Sequence, residues 1–499
     1  MEQDASSISV LGGLFLACMV VLTFSLPRQR ALMPLLITTC FMPLGQGLVV
    51  AGMHFQLFRI LLLLGIVRVL TRKEGSELRL NSLDKLFLAW GIVTLVLGTL
   101  TDPSFDRFNN RSGEVFNAFG SYFLFRCWMR NTDDIVFAVR LAAIMLVVMA
   151  VCMINEKLTT RNIFSVFGGV PEFTGIREGK LRCQGAFRHP ILAGTYAATL
   201  FPLFIGLWFR GGHSDRRLGS LGAIAAGICT VAAASSGALL AIIGTIVALI
   251  MWRIRTRMRQ VRWGIVLAVL ALALTMNAPI WYMFARLSEV VGGTGWYRSY
   301  IIEQAVNHFN EWWLVGSDYT AHWAPGGEVT VGDRRNLDII DQYVAEGLAG
   351  GILKLGLFLA MIVQSFKIVG RRTSRPSSSQ SHDAILVWSF GACLIGHCLS
   401  FFSVSYFDQI VVIWYWLLAA MAVLADENIV QAASTSSRET AELVYPNDKQ
   451  RDEAAGQSIA SREHGEMFAF SSWLSAMPGS CQIPHFPLPV RTQPLPVSV

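Results

Sequence analysis

The amino-acid sequence predicts an all-α protein, a polytopic transmembrane helical bundle of about 12–13 spanning helices. Its composition is 53% hydrophobic and only 15% charged, whereas soluble domains carry about 25% charged residues. Apolar runs recur through most of the chain, and basic residues gather in alternate connections between them. A soluble protein whose helices are apolar on every side could not cover that surface, so a bilayer is the expected solvent.

The candidate spans are apolar runs of about 16–21 residues, close to the length that a helix needs to cross the hydrocarbon core. The weakest are the run over 113–129 and the two runs that meet at Ser235-Ser236-Gly237, where we expect a helical hairpin. The full set of runs covers 8–25, 31–49, 54–70, 84–100, 113–129, 134–153, 188–208, 218–235, 237–252, 263–283, 348–368, 384–403 and 409–425.

The distribution of Arg and Lys predicts how the bundle is oriented. The net charge is +7, and basic residues cluster in connections such as 28–30, 253–262 and 367–375, whereas the opposite turns near 50, 236 and 405 carry none. By the positive-inside rule the basic connections are cytoplasmic, which leaves the N-terminus outside and the C-terminus inside. Because this pattern accounts for the positive charge, we expect no nucleic-acid partner.

Composition also divides the chain into regions. We expect residues 1–425 to form the transmembrane domain, and the Ser-, Glu-, Gln- and Pro-rich segment 426–499 to form a disordered cytoplasmic tail. Two outside loops are long, 154–187 and 284–347, and long loops in compact proteins are either functional or disordered. The second is rich in Trp, Tyr, His and Asp, so we expect it to hold short helices packed over the membrane domain.

The first polar cluster joins the first long loop to a helix, from Arg182 through Arg188 and His189 to Pro190. Proline suits the first turn of a helix, where its missing N–H costs nothing. Two arginines and a histidine at a helix N-terminus form a potential anion site. The alternative is that Arg188 only extends toward the membrane interface as an anchor.

The second cluster lies in the second long loop and is aromatic. It begins at Gly295-Trp296-Tyr297-Arg298 and continues through His308, Trp312-Trp313 and His322-Trp323. Tryptophans at this position fit an interfacial belt, or they fit platforms on which sugar rings stack. The belt explains the tryptophans but not Arg298 and His322.

The third cluster precedes the helix expected over 348–368. Asp338 and Asp341 are three residues apart, so one helical face could present both carboxylates. Paired carboxylates suit a general base and a residue that orients it. The alternative is a plain N-terminal cap, a position that Asp favours.

Metal and cofactor motifs are missing from the sequence. There is no HExxH motif, no Cys/His ligand spacing, no Walker loop and no GxSxG elbow. We therefore predict no metal site and no cofactor, and any reaction would draw its energy from the substrate or from a gradient.

Together the three clusters resemble the O-antigen ligase-like family, which includes O-antigen and exopolysaccharide polymerases. The likeness covers about 160–365 and is carried by Arg182, Gly185, Phe187 and His189-Pro190, by Gly-Trp-Tyr-Arg ending at Arg298, and by Gly316. Many ligases have His-Asn where this chain has Asp338 and Asp341-Gln342, which is similar to an exopolysaccharide branch and leaves the catalytic base open.

The resemblance implies a multi-spanning glycosyltransferase of the bacterial inner membrane, with a periplasmic N-terminus and a cytoplasmic C-terminus. It implies metal-independent transfer of a polyprenyl-diphosphate-linked glycan onto a sugar hydroxyl of an acceptor glycan or glycolipid, in contact with membrane lipids. Guanidinium groups suit the charge on a leaving diphosphate.

Roles for individual residues follow from this implied reaction. Diphosphate binding would fall to Arg182, Arg188 and Arg298, with Arg286 behind them. The base would be Asp338, Asp341, His308, His322 or His189. His189, Trp312, Trp313 and Trp323 would contact substrate.

Two other function classes remain open on the sequence alone. A lipid-linked oligosaccharide flippase or polysaccharide transporter would show inverted repeats and broken helices that meet mid-membrane, and the sequence shows no such symmetry. A structural assembly partner would expose the long outer loop and lack a pocket.

Overall fold

The computed structural model describes residues 8–50, 53–101, 104–286, 295–324, 337–373 and 381–444. The chain divides into two compact units, 1–429 and 430–499. Within the described residues the fold is helical, with strands confined to two short hairpins. The all-α class is therefore confirmed.

Among the described residues, the first half of the chain contains six α-helices. The helices are α1 (Val10–Ser25), α2 (Met33–Phe41), α3 (Leu57–Thr71), α4 (Ser82–Leu100), α5 (Phe105–Trp128) and α6 (Thr132–Thr159). Polar side chains cap the starts of α1, α4, α5 and α6. The clearest cap is Asn81, whose side chain accepts from the backbone of Asp84 while Asp84 bonds back to Asn81.

The second half contains both long helices and the short helices of the outer loop. They are α7 (Pro190–Arg210), α8 (His213–Ala232), α9 (Ser236–Ile250), α10 (Met258–Thr275), α11 (Gly295–Asn307), α12 (Phe309–Trp312), α13 (Gln342–Leu348), α14 (Gly351–Thr373), α15 (Ser381–Ser400) and α16 (Gln409–Val444). The short helices α11 and α12 within 284–347 match the expectation for that loop. The turn expected at Ser235-Ser236-Gly237 is confirmed, since α8 ends at Ala232 and α9 begins at Ser236.

Seven helical segments among the described residues are long and apolar enough to cross a membrane. They are Ser82–Leu100, Thr132–Thr159, Pro190–Arg210, Ser236–Thr275, Gly351–Thr373, Asp383–Ser400 and Gln409–Asp426. A membrane-embedded helical protein is thus supported, while the larger number of 12–13 spans stays a prediction.

Two predicted spans are wrong as continuous helices: within 263–283, helix α10 ends at Thr275, and the run over 31–49 breaks even earlier. Within 31–49, helix α2 ends at Phe41, and the chain then forms an antiparallel hairpin of β1 (Gly47–Val50) and β2 (Met53–Gln56). Pro43 cannot donate to a helix, and the glycines that follow it carry no side chain to favour one. The apolar composition of this run therefore does not translate into helical length.

The predicted boundaries of the tail and of the first loop also shift. Helix α16 continues to Val444, so the irregular tail expected from 426 does not begin there, because the Ala- and Glu-containing stretch to 444 favours a helix. The rest of the tail, 445–499, lies outside the described residues. Helix α6 likewise includes 154–159, which shortens the first loop; that loop holds a second small hairpin of β3 (Ile176–Arg177) and β4 (Lys180–Leu181).

Helix α7 is central to the packing of the bundle. It contacts α6, α8, α9 and α15, and small residues let these backbones approach closely. A Cβ added to Gly194 would lie 2.8 Å from the Cβ of Ala238 and 2.9 Å from that of Ala233. This contact seats the start of α7 against the turn between α8 and α9.

Ion pairs join the helix ends at the far end of α7. Arg210 pairs with Asp133 at 3.0 Å and with Asp383 at 3.1 Å, and Arg28 reaches Asp134 at 3.2 Å. Helix α7 has 21 residues, so these pairs lie about 30 Å from its first residue. The structure thus gathers at one end several of the basic groups that the sequence assigns to one membrane side.

Candidate functional site

A cavity of about 570 Å³ lies at the N-terminal ends of α7 and α9. It is built from segments far apart in sequence: the β3–β4 hairpin and the turn that follows it, the α8–α9 turn, α11, the segment before α13 and the loop before α16. Its lining residues are Arg177, Glu178, Lys180, Arg182, His189, Ile191, Val231, Ala234, Ser235, Ser236, Leu239, Arg298, Asp338, Ile340, Ser403, Val404, Ser405 and Phe407.

The charge of this cavity is positive. Four basic residues face two acidic ones, Glu178 and Asp338, and the basic set is Arg177, Lys180, Arg182 and Arg298. The helices that start at Pro190 and Ser236 add the positive ends of their dipoles and unpaired backbone N–H groups. The cavity therefore suits an anionic ligand.

The two predicted arginines Arg182 and Arg298 are held here with unused hydrogen-bonding capacity. The Nε of each is buried and has no hydrogen-bond partner among the described residues, while a terminal nitrogen of Arg298 donates to Ser236 Oγ at 3.5 Å. Burial lowers the pKa of both guanidinium groups, and Arg177 adds to the effect at Arg182. A buried charged donor without a partner is costly, which indicates that a ligand supplies the partner.

The turn that carries Arg182 to His189 is fixed by a carboxylate that the sequence analysis missed. Glu156, near the end of α6, accepts the backbone N–H of Gln184 at 3.0 Å and that of Gly185 at 2.9 Å. Gly185 has φ +57°, and a Cβ there would lie 2.7 Å from the sulfur of Met149. These contacts explain why a glycine occupies this turn and how the arginine is oriented.

His189 is the N-cap of α7, and Pro190 is its first residue, as predicted. The imidazole Nδ1 accepts the backbone N–H of Ile191 at 3.2 Å. His189 is exposed at the cavity, but partial desolvation by the surrounding protein and the positive charges of Arg182 and Arg177 lower its pKa to about 4. The neutral ring with Nδ1 as acceptor carries its proton on Nε2, so His189 can donate to an oxygen of a ligand but is poorly suited as a base.

The two aspartates occupy different environments. Asp338 is exposed and lines the cavity. Asp341 is buried and caps α13: its Oδ1 accepts from the backbone of Val344 at 3.0 Å, and its Oδ2 has no hydrogen-bond partner among the described residues. Burial raises the pKa of Asp341 to about 7, against the opposing hydrogen bonds and the charge of Arg298. The prediction that one helical face presents both is wrong, because α13 begins only at Gln342.

Two predicted diphosphate ligands lie outside the cavity lining. Arg188 is 63% exposed, and its Nη1 lies 4.0 Å from Asp408. Arg286 is exposed in a helical turn that precedes α11. The structure therefore separates the four predicted arginines into two that line the cavity and two that do not.

The aromatic loop residues also lie apart from the cavity lining. Trp312 and Trp323 are buried in a small core with Ala305 and Leu348, so neither ring can stack on a sugar. Trp312 packs so tightly that a Cβ on Gly347 would lie 2.6 Å from its ring. The substrate-contact assignment of both tryptophans is wrong for that reason. Trp313 is 45% exposed and does not line the cavity.

His308 and His322 do not line the cavity either. They lie beside Glu311, whose carboxylate is 2.9 Å from His322 Nε2. A general base must come within hydrogen-bond reach of its proton, so these histidines do not fit as bases for a ligand in the cavity. No metal-ligand motif in the sequence predicts that these three residues converge.

Residues missed by the sequence analysis complete the site. Arg177 and Lys180 come from the β3–β4 hairpin, and Ser235 and Ser236 from the α8–α9 turn. The sequence shows the basic residues that precede Arg182, but their position beside α11 depends on the three-dimensional fold.

A second cavity of about 300 Å³ shares Phe407 with the first. Arg59, Glu114 and Glu346 line it, and Lys354 lies 3.5 Å from Glu346 and 3.6 Å from Glu114. Its carboxylates balance the neighbouring cations, in contrast to the first cavity.

The sequence was compared with protein-family models and with curated proteins. No protein family matches the chain, and no curated protein matches it significantly. The chemistry of the site therefore rests on its geometry.

Proposed function

We propose that the protein is a glycosyltransferase that moves a polyprenyl-diphosphate-linked glycan onto an acceptor sugar hydroxyl, in surface polysaccharide biosynthesis. The observation that carries the proposal is the meeting of Arg182 and Arg298, 116 positions apart in the chain, on one cationic cavity with unpartnered buried Nε groups. This arrangement suits a ligand with two or more anionic oxygens.

The cavity chemistry fits a diphosphate leaving group. Negative charge builds on phosphate oxygens as the glycosidic bond to the carrier breaks, and fixed guanidinium donors stabilise that charge in the transition state. The planar fork of Arg can bind two phosphate oxygens at once. In this proposal His189 donates a further hydrogen bond from Nε2, and the N-termini of α7 and α9 add favourable dipoles.

The proton of the acceptor hydroxyl goes to Asp338 in this proposal. Asp338 is exposed and lines the cavity, whereas Asp341 is buried as a helix cap and does not line it. Asp341 then acts through Arg298, whose positive charge it faces. Asp341 is thus a positioning residue and Asp338 the general base.

We infer that the cavity lies at the periplasmic face of the bacterial inner membrane, with the N-terminus periplasmic and the C-terminus cytoplasmic. The support is the positive-inside rule together with the ion-paired basic ends about 30 Å away along α7. The substrate would be a membrane lipid, and a cavity at one end of the bundle suits its headgroup. Polymerase and ligase differ only in the acceptor, and the Asp338–Asp341 pattern favours an exopolysaccharide polymerase.

A flippase or transporter is the second candidate, because the cavity is cationic. A transport site is expected near the middle of the membrane, between broken helices. This cavity lies instead at the N-terminal ends of α7 and α9, which favours chemistry at one face.

The test compares two arginine variants in a strain that lacks the native gene. Arg298→Ala should abolish polymer or ligated product at normal protein levels, while Arg286→Ala, which removes an exposed arginine outside the cavity, should leave output unchanged. Wild-type output from well-expressed Arg298→Ala would reject the proposal. In the deletion strain, single repeat units on the lipid acceptor indicate a polymerase, long chains left on the carrier indicate a ligase, and carrier-linked units retained on the cytoplasmic side indicate a flippase.

A further inference from the structure

Three potential metal ligands converge in the outer loop, away from the cavity. A ring nitrogen of His308, a ring nitrogen of His322 and a carboxylate oxygen of Glu311 all lie within 4.8 Å of one another. Ligand atoms around one tetrahedral Zn²⁺ lie about 3.3 Å apart at usual bond lengths. Small side-chain movements would therefore bring all three onto one ion.

The tautomer and orientation of His308 suit coordination. Its Nδ1 lies 2.9 Å from the carbonyl oxygen of Gln304, one turn earlier, so the N–H donates there and Nε2 keeps its lone pair. The ring stacks on Trp323, with centroids 5.1 Å apart and planes at 18°. Metal-bound histidines usually donate their other N–H to a carbonyl or carboxylate in this way.

The other two ligands are held by comparable contacts. His322 stacks on Tyr319 with ring centroids 5.1 Å apart, and its Nε2 lies 2.9 and 3.1 Å from the two oxygens of Glu311. The indole N–H of Trp323 donates to Glu311 at 3.1 Å. The carboxylate is thus oriented toward His322 by a neighbour that would not compete for the ion.

We propose that His308, Glu311 and His322 form a binding site for a borderline divalent cation of the Zn²⁺ type. Two imidazoles and one carboxylate are a preferred donor set for such ions, and hard cations such as Mg²⁺ prefer oxygen. The side chains of His322 and Glu311 are 38% and 32% exposed, so an ion can reach them from solvent.

The ion would stiffen the loop that leads back to the cavity. It would tie α12 to the turn Ala321–Trp323, and Thr320, beside that turn, accepts the backbone N–H of Leu337 at 3.1 Å. Leu337 precedes Asp338 in the chain. An effect of the ion on glycan output would rest on the proposed function, whereas binding of the ion does not.

The test is Zn²⁺ titration of the full-length protein, purified without a polyhistidine tag, stripped with chelator and placed in lipid nanodiscs. Wild type should bind one equivalent that His308→Ala, Glu311→Gln and His322→Ala each lose. The matched control is His213→Ala, which removes an exposed histidine at the start of α8 and should keep that equivalent. Co²⁺ in place of Zn²⁺ should give a tetrahedral absorption spectrum in wild type and in His213→Ala, but in none of the three ligand variants.

Another variant tests whether the neighbouring indole orients the Glu311 carboxylate for metal binding. Trp323→Phe removes the N–H donated to Glu311 and should weaken Zn²⁺ binding about tenfold, as is typical for groups that orient ligands. Zn²⁺ should raise the unfolding temperature of wild type but not of His322→Ala, while the two should match in chelator. Equal Zn²⁺ stoichiometry and affinity in wild type and His322→Ala, or no Zn²⁺ binding by wild type at micromolar concentration, would overturn the proposal.

Discussion

Two groups of arginines in this protein differ in how their hydrogen bonds are used. At the helix ends remote from the cavity, Arg126 donates to Asp84 at 2.9 Å and to Asp426 at 2.8 Å, and Arg140 makes two bonds to Asp215 at 2.7 and 2.8 Å. At the cavity, Arg182 and Arg298 each keep a buried Nε without a partner among the described residues.

The difference separates a structural role from a binding role. Arg126 and Arg140 neutralise buried carboxylates, so their charges are balanced within the fold. The cavity has an excess of positive charge, and its arginines have unused hydrogen-bond donors. Both features lower the stability of the fold unless a bound ligand supplies negative charge and acceptors. Sites that bind ligands commonly carry such a cost.

The largest expected effect on stability is at Arg126. Arg126→Ala leaves the fully buried Asp84 without its cation, and loss of one partner of a buried pair costs about 3–5 kcal/mol. Arg130→Ala is the control, since its partner Glu77 is 72% exposed and such pairs contribute about 0–1 kcal/mol. Denaturant unfolding in detergent measures both free energies. Equal losses would contradict the expected difference between a buried ion pair and an exposed one.

A smaller loss is expected at Glu156. Glu156→Ala leaves the backbone N–H groups of Gln184 and Gly185 unpaired, which costs about 1–3 kcal/mol for each buried group. Because the turn also orients Arg182, glycan output should fall more than the loss of folded protein explains. Glu156→Gln keeps an acceptor oxygen and should recover part of both. Full output from Glu156→Ala would show that the turn holds its shape without the carboxylate.

The pH dependence of stability tests Asp341. Its carboxyl pKa rises to about 7 in the fold because of burial, above about 3.9 in an unfolded chain. Its contribution to stability is therefore present below about pH 4 and is lost as pH rises through about 7. Asp341→Asn, which keeps a favourable cap, should remove this slope in a comparison of unfolding free energies.

Glycan output should respond to Asp341 in the opposite direction. The charged carboxylate is the form that faces Arg298, so wild-type output should rise through about pH 7, and Asp341→Asn should lose this step. Identical pH profiles for the two proteins would exclude the positioning role.

The smallest effect is expected at Arg188. Its side chain is 63% exposed and its Asp408 contact is 4.0 Å, so Arg188→Ala should change stability by less than about 1 kcal/mol. Output should fall far less than in Arg298→Ala at equal protein levels. A loss of output as large as that of Arg298→Ala would show that Arg188 also takes part in the site.

Local signals in the sequence predicted much of this structure. Pro190 marks the first residue of α7, Asp341 caps a helix, and the Ser235–Gly237 turn joins two helices, because each depends on neighbouring residues alone. The helical class was predicted from long apolar runs, although the helix in one of these runs ends early, just before Pro43.

Contacts between distant segments were less predictable. The convergence of Arg182 and Arg298 on one cavity agrees with the sequence analysis. Arg286 and Trp312 were also expected to contact substrate, but neither lines that cavity. Composition cannot tell a buried tryptophan from one that faces a ligand. The backbone-directed role of Glu156 left no sequence signal, since a single carboxylate within an apolar helix has many possible partners.

The most direct test of the cationic cavity is calorimetric binding of farnesyl diphosphate to the protein in nanodiscs. Saturable binding should weaken about tenfold or more in Arg182→Ala and in Arg298→Ala, because a hydrogen bond to a charged group contributes about 1.5–3 kcal/mol. Arg286→Ala should bind as wild type does. Equal affinity in all four proteins would contradict the account.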